Sequence, residues 1–216
     1  MFLHRFAIDL GVPIVSVDQL MKNVAAKHGE DPDFDHPFFE KVAELVRAGD
    51  QEKLIKEKIP LKLLRLTPAA QDGMILIDFP VHADEAELLE EYKGGLNAFV
   101  HVSLPDEVLV DIEETKVYCP DSDKYYYKDA VVNEEHGVRI EKFIPEDGYC
   151  YASGSDNFVP GSDPQAFEQE LEIYHRKKDA LCSFYNDLGL LVDFEPRRGY
   201  EDYEKMKRMI QHTIKH

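Results

Sequence analysis

The feature that most constrains this chain of 216 residues is a repeated change of hydrophobic period. Segments with apolar residues every three or four positions, the spacing of a helix face, are separated by short unbroken apolar runs. Residues 74–79 (MILIDF), 98–104 (AFVHVSL) and 190–194 (LLVDF) are the clearest of these runs. A strand with one wet face alternates polar and apolar residues, whereas a continuous run reads as a strand covered on both faces. Parallel neighbours need long crossovers, and the intervening segments have the length and period of helices. The sequence therefore predicts an α/β fold, a parallel sheet flanked by helices.

The local signals fill in this frame. Residues 1–10 have helical spacing at Phe2, Leu3, Phe6, Ala7 and Leu10, and Gly11 and Pro13 end the helix. Residues 14–17 form a short strand, with Asp18 placed to cap a helix running past Leu20, Met21 and Val24. A polar loop at 28–37 precedes helices at 38–48 and 51–66, and Gln71-Asp72-Gly73 forms a turn. Residues 84–92 are helical until Gly94-Gly95. The stretch from Val117 to Phe158 is rich in Tyr, Asp, Gly and Pro with short β-like runs, and reads as a small inserted lobe. Helical period returns at 164–188, and the last helix is expected at 200–216.

Composition limits the partners. Twenty-five Lys and Arg against 43 Asp and Glu leave a net charge of −18, a field that repels nucleic acid and works against nucleotides. Three cysteines, Cys119, Cys150 and Cys182, make no disulfide framework, and an intracellular location is expected. No apolar run is long enough for a membrane span, and the opening residues lack a cleavage signal.

The order of segments resembles that of the adenylate kinase, or nucleoside monophosphate kinase, family. LGVPIVSVDQLMK is similar to the stretch after the family's first helix, which leads to an AMP-binding arginine. FFEKVAELVRAGD resembles the AMP-covering helices, and GMILIDFPVHADEAELLE resembles the strand ending in Asp-Gly-Phe-Pro-Arg with its following helix. FVHVSLPDEVLVD resembles the fourth strand and its Pro-Asp-Glu turn, and ELEIYHRKKDALCSFYNDLG the helix after the lid. The resemblance implies a three-layer nucleotide-kinase-like fold. Its core would comprise residues 1–116 and 161–216, with AMP-lobe-like helices at about 28–70 and a β-rich lid at 117–160.

Phosphoryl transfer needs a backbone cradle for phosphate, a Lys, a metal and several Arg to gather negative charge. The cradle motif G-x-x-x-x-G-K-[ST] is absent, and the resemblance starts inside the helix that follows it, so the first family strand has no counterpart here. Downstream, the family's Asp-Gly-Phe-Pro-Arg becomes Ile77-Asp78-Phe79-Pro80-Val81, and its adenine-reading Gln becomes Glu85. The AMP-side arginine falls at Lys22, and the two lid-entrance arginines fall at Ile112 and Lys116. The post-lid arginine pair falls at Glu168 and Glu170. One transition-state arginine can be worth roughly 10³–10⁵ in rate, so replacing several removes useful catalysis. The residues left to contact a nucleotide are Lys22, Phe79, Pro80 and Lys116.

Some family members hold the lid with zinc through two Cys-x-x-Cys pairs. The matching positions here are Cys119, Ser122, Cys150 and Ser153, with Asp121 or Asp123 the nearest possible helpers. Neutral Ser is a poor zinc ligand, so a metal-free lobe packed by Tyr118, Tyr125, Tyr126, Tyr127, Tyr149 and Tyr151 is expected. His175 reads as a packed histidine, Ser16 as a small residue at a strand end, and Met206, Met209, Ile210 and Ile214 as a docking stripe. Without a central strand, runs 74–79 and 98–104 are expected to close up and pair directly, a donated strand being the other remedy.

The function these readings support is a catalytically degenerate adenylate-kinase-like protein, a structural or interaction subunit of a larger intracellular assembly. It would have no catalytic residues, no metal and no cofactor, and would bind other protein subunits. Two alternatives remain: a nucleoside monophosphate kinase using Mg-ATP whose N-terminal part is missing, and an adenine nucleotide sensor without turnover.

Overall fold

The computed structural model describes residues 2–68, 73–77, 79–91, 95–145 and 148–214. The chain divides into two compact units, Met1–Leu96 and Asn97–His216. No helix among the described residues is long and apolar enough to cross a membrane.

The first unit opens with α1 (Phe2–Leu10), β1 (Ile14–Ser16) and α2 (Val17–Lys27). Helix α2 is capped by Ser16, whose hydroxyl accepts from Gln19 N at 3.1 Å, and not by Asp18, which pairs with Lys22 one turn on. After a 3₁₀ turn at Pro32–Phe34 come α3 (Pro37–Ala48), α4 (Gln51–Lys56) and α5 (Ile59–Leu66). Gly49 closes α3 in the left-handed conformation at φ 66°, which glycine adopts without penalty. Strand β2 (Ile75–Ile77) lies parallel to β1, with Ile14 opposite Ile75 and Ser16 opposite Ile77, and α6 (Ala83–Glu90) follows. Val17, Met21 and Val24 of α2 pack with Val42, Leu45, Leu54, Leu64 and Phe79 in one core. Arg47 on α3 donates to the carbonyls of Ala25 and His28, satisfying the open end of α2.

The second unit holds β3 (Phe99–Val102), parallel to β9 (Leu191–Phe194), with α7 (Asp106–Glu114) and the long α8 (Pro164–Asp187) between them in sequence. Between α7 and α8 the described residues form short antiparallel strands. β4 (Lys116–Cys119) is flanked by β5 (Lys124–Tyr127) and β8 (Val159–Pro160), and β6 (Val131–Asn133) pairs with β7 (Val138–Ile140). Gly161 runs against β4, where an added Cβ would sit 3.0 Å from Tyr118 N. A 3₁₀ turn at Gly199–Asp202 leads into α9 (Tyr203–Ile214); of the predicted docking stripe Met206 and Ile210 are buried, Met209 is half-buried and Ile214 is exposed.

Several expectations are corrected. The helix expected over 51–66 is two helices, because Lys58 takes φ 56° and Pro60 starts a new helix at its first turn. The acidic segment after Pro105 is a helix, α7, and not merely a turn. Among the described residues the strand pairs are β1 with β2 and β3 with β9, so the expected direct pairing of the two apolar runs is not found. With one strand neighbour each among the described residues, β2 and β3 are half-buried, not covered on both faces. The turn at Gln71-Asp72 and residue Gly94 lie outside the described residues, as does Asp78.

Candidate functional site

Open parallel sheets place ligands beyond the carboxyl ends of their strands. In the second unit a cavity of about 300 Å³ lies there. Val102, Ser103 and Leu104 line it from the end of β3, and Pro196 from just past the end of β9. Helix α7 adds Leu109, and the first turns of α8 add Phe167, Glu170, Leu171 and Tyr174. The volume is at the lower end for small-molecule pockets, and the lining is mostly hydrocarbon.

Tyr174 is fixed at the edge of this groove by a hydrogen-bonded chain. His101 Nδ1 lies 2.8 Å from the Asp193 carboxylate, and His101 Nε2 meets the Tyr174 hydroxyl, the two rings lying 14° from coplanar. A carboxylate only accepts, so Nδ1 carries a proton, and in the neutral imidazole the phenol then donates to Nε2. Burial, followed by the charges around Cys182, Asp193, Asp106 and Asp179, pushes the Tyr174 phenol up to about 12, so it stays a neutral donor. The next residue, His175, pairs with Asp106 of α7 at 2.9 Å. That corrects the expectation of a packed histidine, and neither His101 nor Asp193 was singled out in the sequence.

The positions carried over from the resemblance are distributed as follows. Lys22, Phe79 and Pro80 lie in the first unit and Lys116 in the second. Lys22 is held by Asp18 at 2.6 Å, and Phe79 is buried in the core beside Met21. The Phe79–Pro80 peptide is cis. Lys116 is paired at 3.0 Å with Glu113, a carboxylate only 8% exposed, and its ammonium lies over the Tyr125 ring. Ile112 packs against the Val108, Val131 and Val138 cluster. Glu168 and Glu170 are exposed on α8 and make no ion pair among the described residues. Glu85 is buried and accepts from Val81 N at 2.8 Å and His82 N at 3.2 Å, closing the start of α6.

The four positions matching the zinc ligands do converge. Ser122 Oγ and Tyr126 Oη each lie 3.1 Å from Cys150 Sγ, and Cys119 Sγ lies 3.6 Å from Ser153 Oγ. Cys119, Cys150 and Tyr126 are buried together. Asp121 is bonded to Ser155 and Asp123 to Tyr118, so neither assists the thiols. Two sulfurs and two neutral hydroxyls do not fit a tetrahedral zinc ion, and no metal-binding cluster occurs among the described residues. Hydrogen bonds between thiols and hydroxyls join the lobe instead. Of the tyrosines expected to pack it, Tyr126 is buried, whereas Tyr125, Tyr149 and Tyr151 are more than half exposed.

Parallel β-pairs with intervening helices make this an α/β protein of the nucleotide-kinase-like class. No family model matches the chain. An adenylate kinase of Lactobacillus gasseri is 26% identical over 166 residues, covering 73% of this chain and 73% of that protein. Adenylate kinases of a Drosophila simulans Wolbachia (23% over 190 residues, 83% and 78% covered) and of Oceanobacillus iheyensis (26% over 151 residues, 66% and 65% covered) are similar to it as well. The chain is a distant relative of the adenylate kinases.

Proposed function

We propose that this protein is a catalytically degenerate relative of the adenylate kinases that serves as an interaction subunit, without phosphotransfer and without Mg-ATP as a cofactor. The observation that carries the proposal is the pair Glu168 and Glu170, exposed and unpaired among the described residues, with Glu170 lining the groove at the strand ends. Carboxylates where the resemblance places phosphate-gathering arginines repel the group to be transferred. Of the remaining cations, Lys116 is held by the buried Glu113, while Lys22 meets Asp18 at the surface. Ile112 is an apolar packing residue and offers no charge at all. A sensor that binds adenine nucleotides through Lys22 and Lys116 is disfavoured by the Lys116–Glu113 pair.

The test is a coupled assay of ADP formation from Mg-ATP and AMP, with calorimetric titration of a bisubstrate dinucleotide analogue. No turnover and no heat at high micromolar analogue are expected. Saturable ADP formation or tight analogue binding would overturn the proposal.

A further inference from the structure

We propose that the groove at the ends of β3 and β9 receives a basic amphipathic helix from a partner protein. The helix would set its apolar face into the cavity and its Lys or Arg side chains against the exposed carboxylates at the start of α8. The inference rests on the interaction-subunit reading and supplies the chemistry of the partner.

Charge is the first argument. The sequence has no Lys or Arg between Lys93 and Lys116, and none between Lys142 and Arg176. Those two stretches supply every lining residue of the groove except Pro196. Helix α7 carries Asp106, Glu107, Asp111, Glu113 and Glu114, of which Asp106 faces His175, Glu107 faces His136 and Glu113 faces Lys116, and the first turns of α8 carry Glu168, Glu170 and Glu172. The three on α8 are exposed and make no ion pair among the described residues, so they are available to an outside cation. The guanidiniums beside Pro196 do not balance this field, because Arg197 is held by Glu195 and Arg198 faces Glu201. Complementary charge of this kind steers a basic partner and rejects an anionic one.

Shape is the second. Helix α8 runs for 24 residues but buries side chains only at Leu181 and Tyr185, both in its second half. Its first half presents Phe167, Leu171 and Tyr174 at helical spacing into the groove. Val102, at the end of β3, is 52% exposed on the same cavity. A half-covered apolar row along one helix, facing a cleft, is the surface that helix-in-groove recognition uses. The Asp193–His101–Tyr174 chain holds one wall rigid, which lowers the entropy lost on docking.

The test uses a fluorescent amphipathic peptide of roughly 18 residues, with leucines on one face and lysines on the other, titrated against the full chain. Saturable binding is expected, weakening about tenfold or more from low to physiological salt. The double variant Glu168→Lys/Glu170→Lys should weaken it by a similar factor while its far-ultraviolet dichroism stays unchanged and its melting temperature does not fall. Peptides with serine for leucine, or glutamate for lysine, should not bind. No binding of the parent peptide would overturn the inference. So would binding that ignores the apolar face or the double variant, since that reports only diffuse attraction to an acidic protein. The dinucleotide analogue is titrated in parallel. Its tight binding sinks the interaction-subunit reading itself, whereas silence of both ligands sinks the groove inference alone.

Discussion

A thiol enclosed by aromatic and aliphatic side chains ordinarily holds its proton, because burial penalises the thiolate. At Cys150 burial does push the thiol up, but hydrogen bonds from Ser122, Ser153 and Tyr126, with the Ser153 backbone, outweigh it and set the group at about 5, against 9.0 for a free thiol. Folding therefore releases a proton between those values. The stabilisation is complete above the unfolded value, shrinks as pH falls through the window and is gone below the folded one. Cys150→Ser should flatten the rise of stability with pH across this window, read as urea midpoints at successive pH values. An unchanged profile in the variant would refute the assignment. The four converging positions were legible in the sequence because their spacing survived the loss of two sulfurs. The Tyr126 hydroxyl was not, since which tyrosine turns inward depends on strand register. Glu85 makes a similar point. The sequence marks it as a lost adenine contact, while the fold gives it two backbone N–H groups to satisfy. Glu85→Ala should lose about 1–2 kcal/mol in denaturant unfolding, and Glu85→Gln, which keeps an acceptor, distinctly less.

Among the elements, the parallel strands were legible as apolar runs, but their partners were not. Pairing β1 with β2 and β3 with β9 is decided by contacts far apart in sequence, which periodicity does not record. Helix α7 was hidden behind Pro105 and a run of acidic residues, although Val108 and Ile112 stand one turn apart on its inner face. The break between α4 and α5 did have a visible signal in Pro60, whose ring clashes with the carbonyl four residues back in a continuous helix. Helix α5 then turns Ile59, Leu61, Leu63 and Leu64 inward, with Leu64 fully buried and Leu66 60% exposed. Leu64→Ala should cost about 2–5 kcal/mol through the cavity it leaves. Leu66→Ala, on the same helix, should stay within about 0.5 kcal/mol. Equal effects in chemical denaturation would mean that α5 is not seated in the core in this way.

Over the whole molecule the dominant physical quantity is charge. An excess of 43 acidic over 25 basic side chains makes every compact arrangement of this chain self-repelling. The ion pairs relieve little of it, since Lys22–Asp18, Lys41–Glu57 and Lys53–Asp50 are largely exposed and such pairs contribute about 0–1 kcal/mol each. Added salt should then screen more repulsion than attraction. The melting temperature is expected to climb as sodium chloride rises toward physiological strength, where the Debye length is about 8 Å, and to level off beyond it. For a chain of this size each kcal/mol of relieved repulsion corresponds to about 2–4 °C. Scanning calorimetry across a salt series separates the two cases, because a melting temperature that falls with salt would mean that attractive pairs dominate. The double variant Glu168→Lys/Glu170→Lys links this field to the groove. It shifts the net charge by four units along one helix, so its melting temperature should depend less steeply on salt than that of the parent chain, while its affinity for a cationic peptide falls.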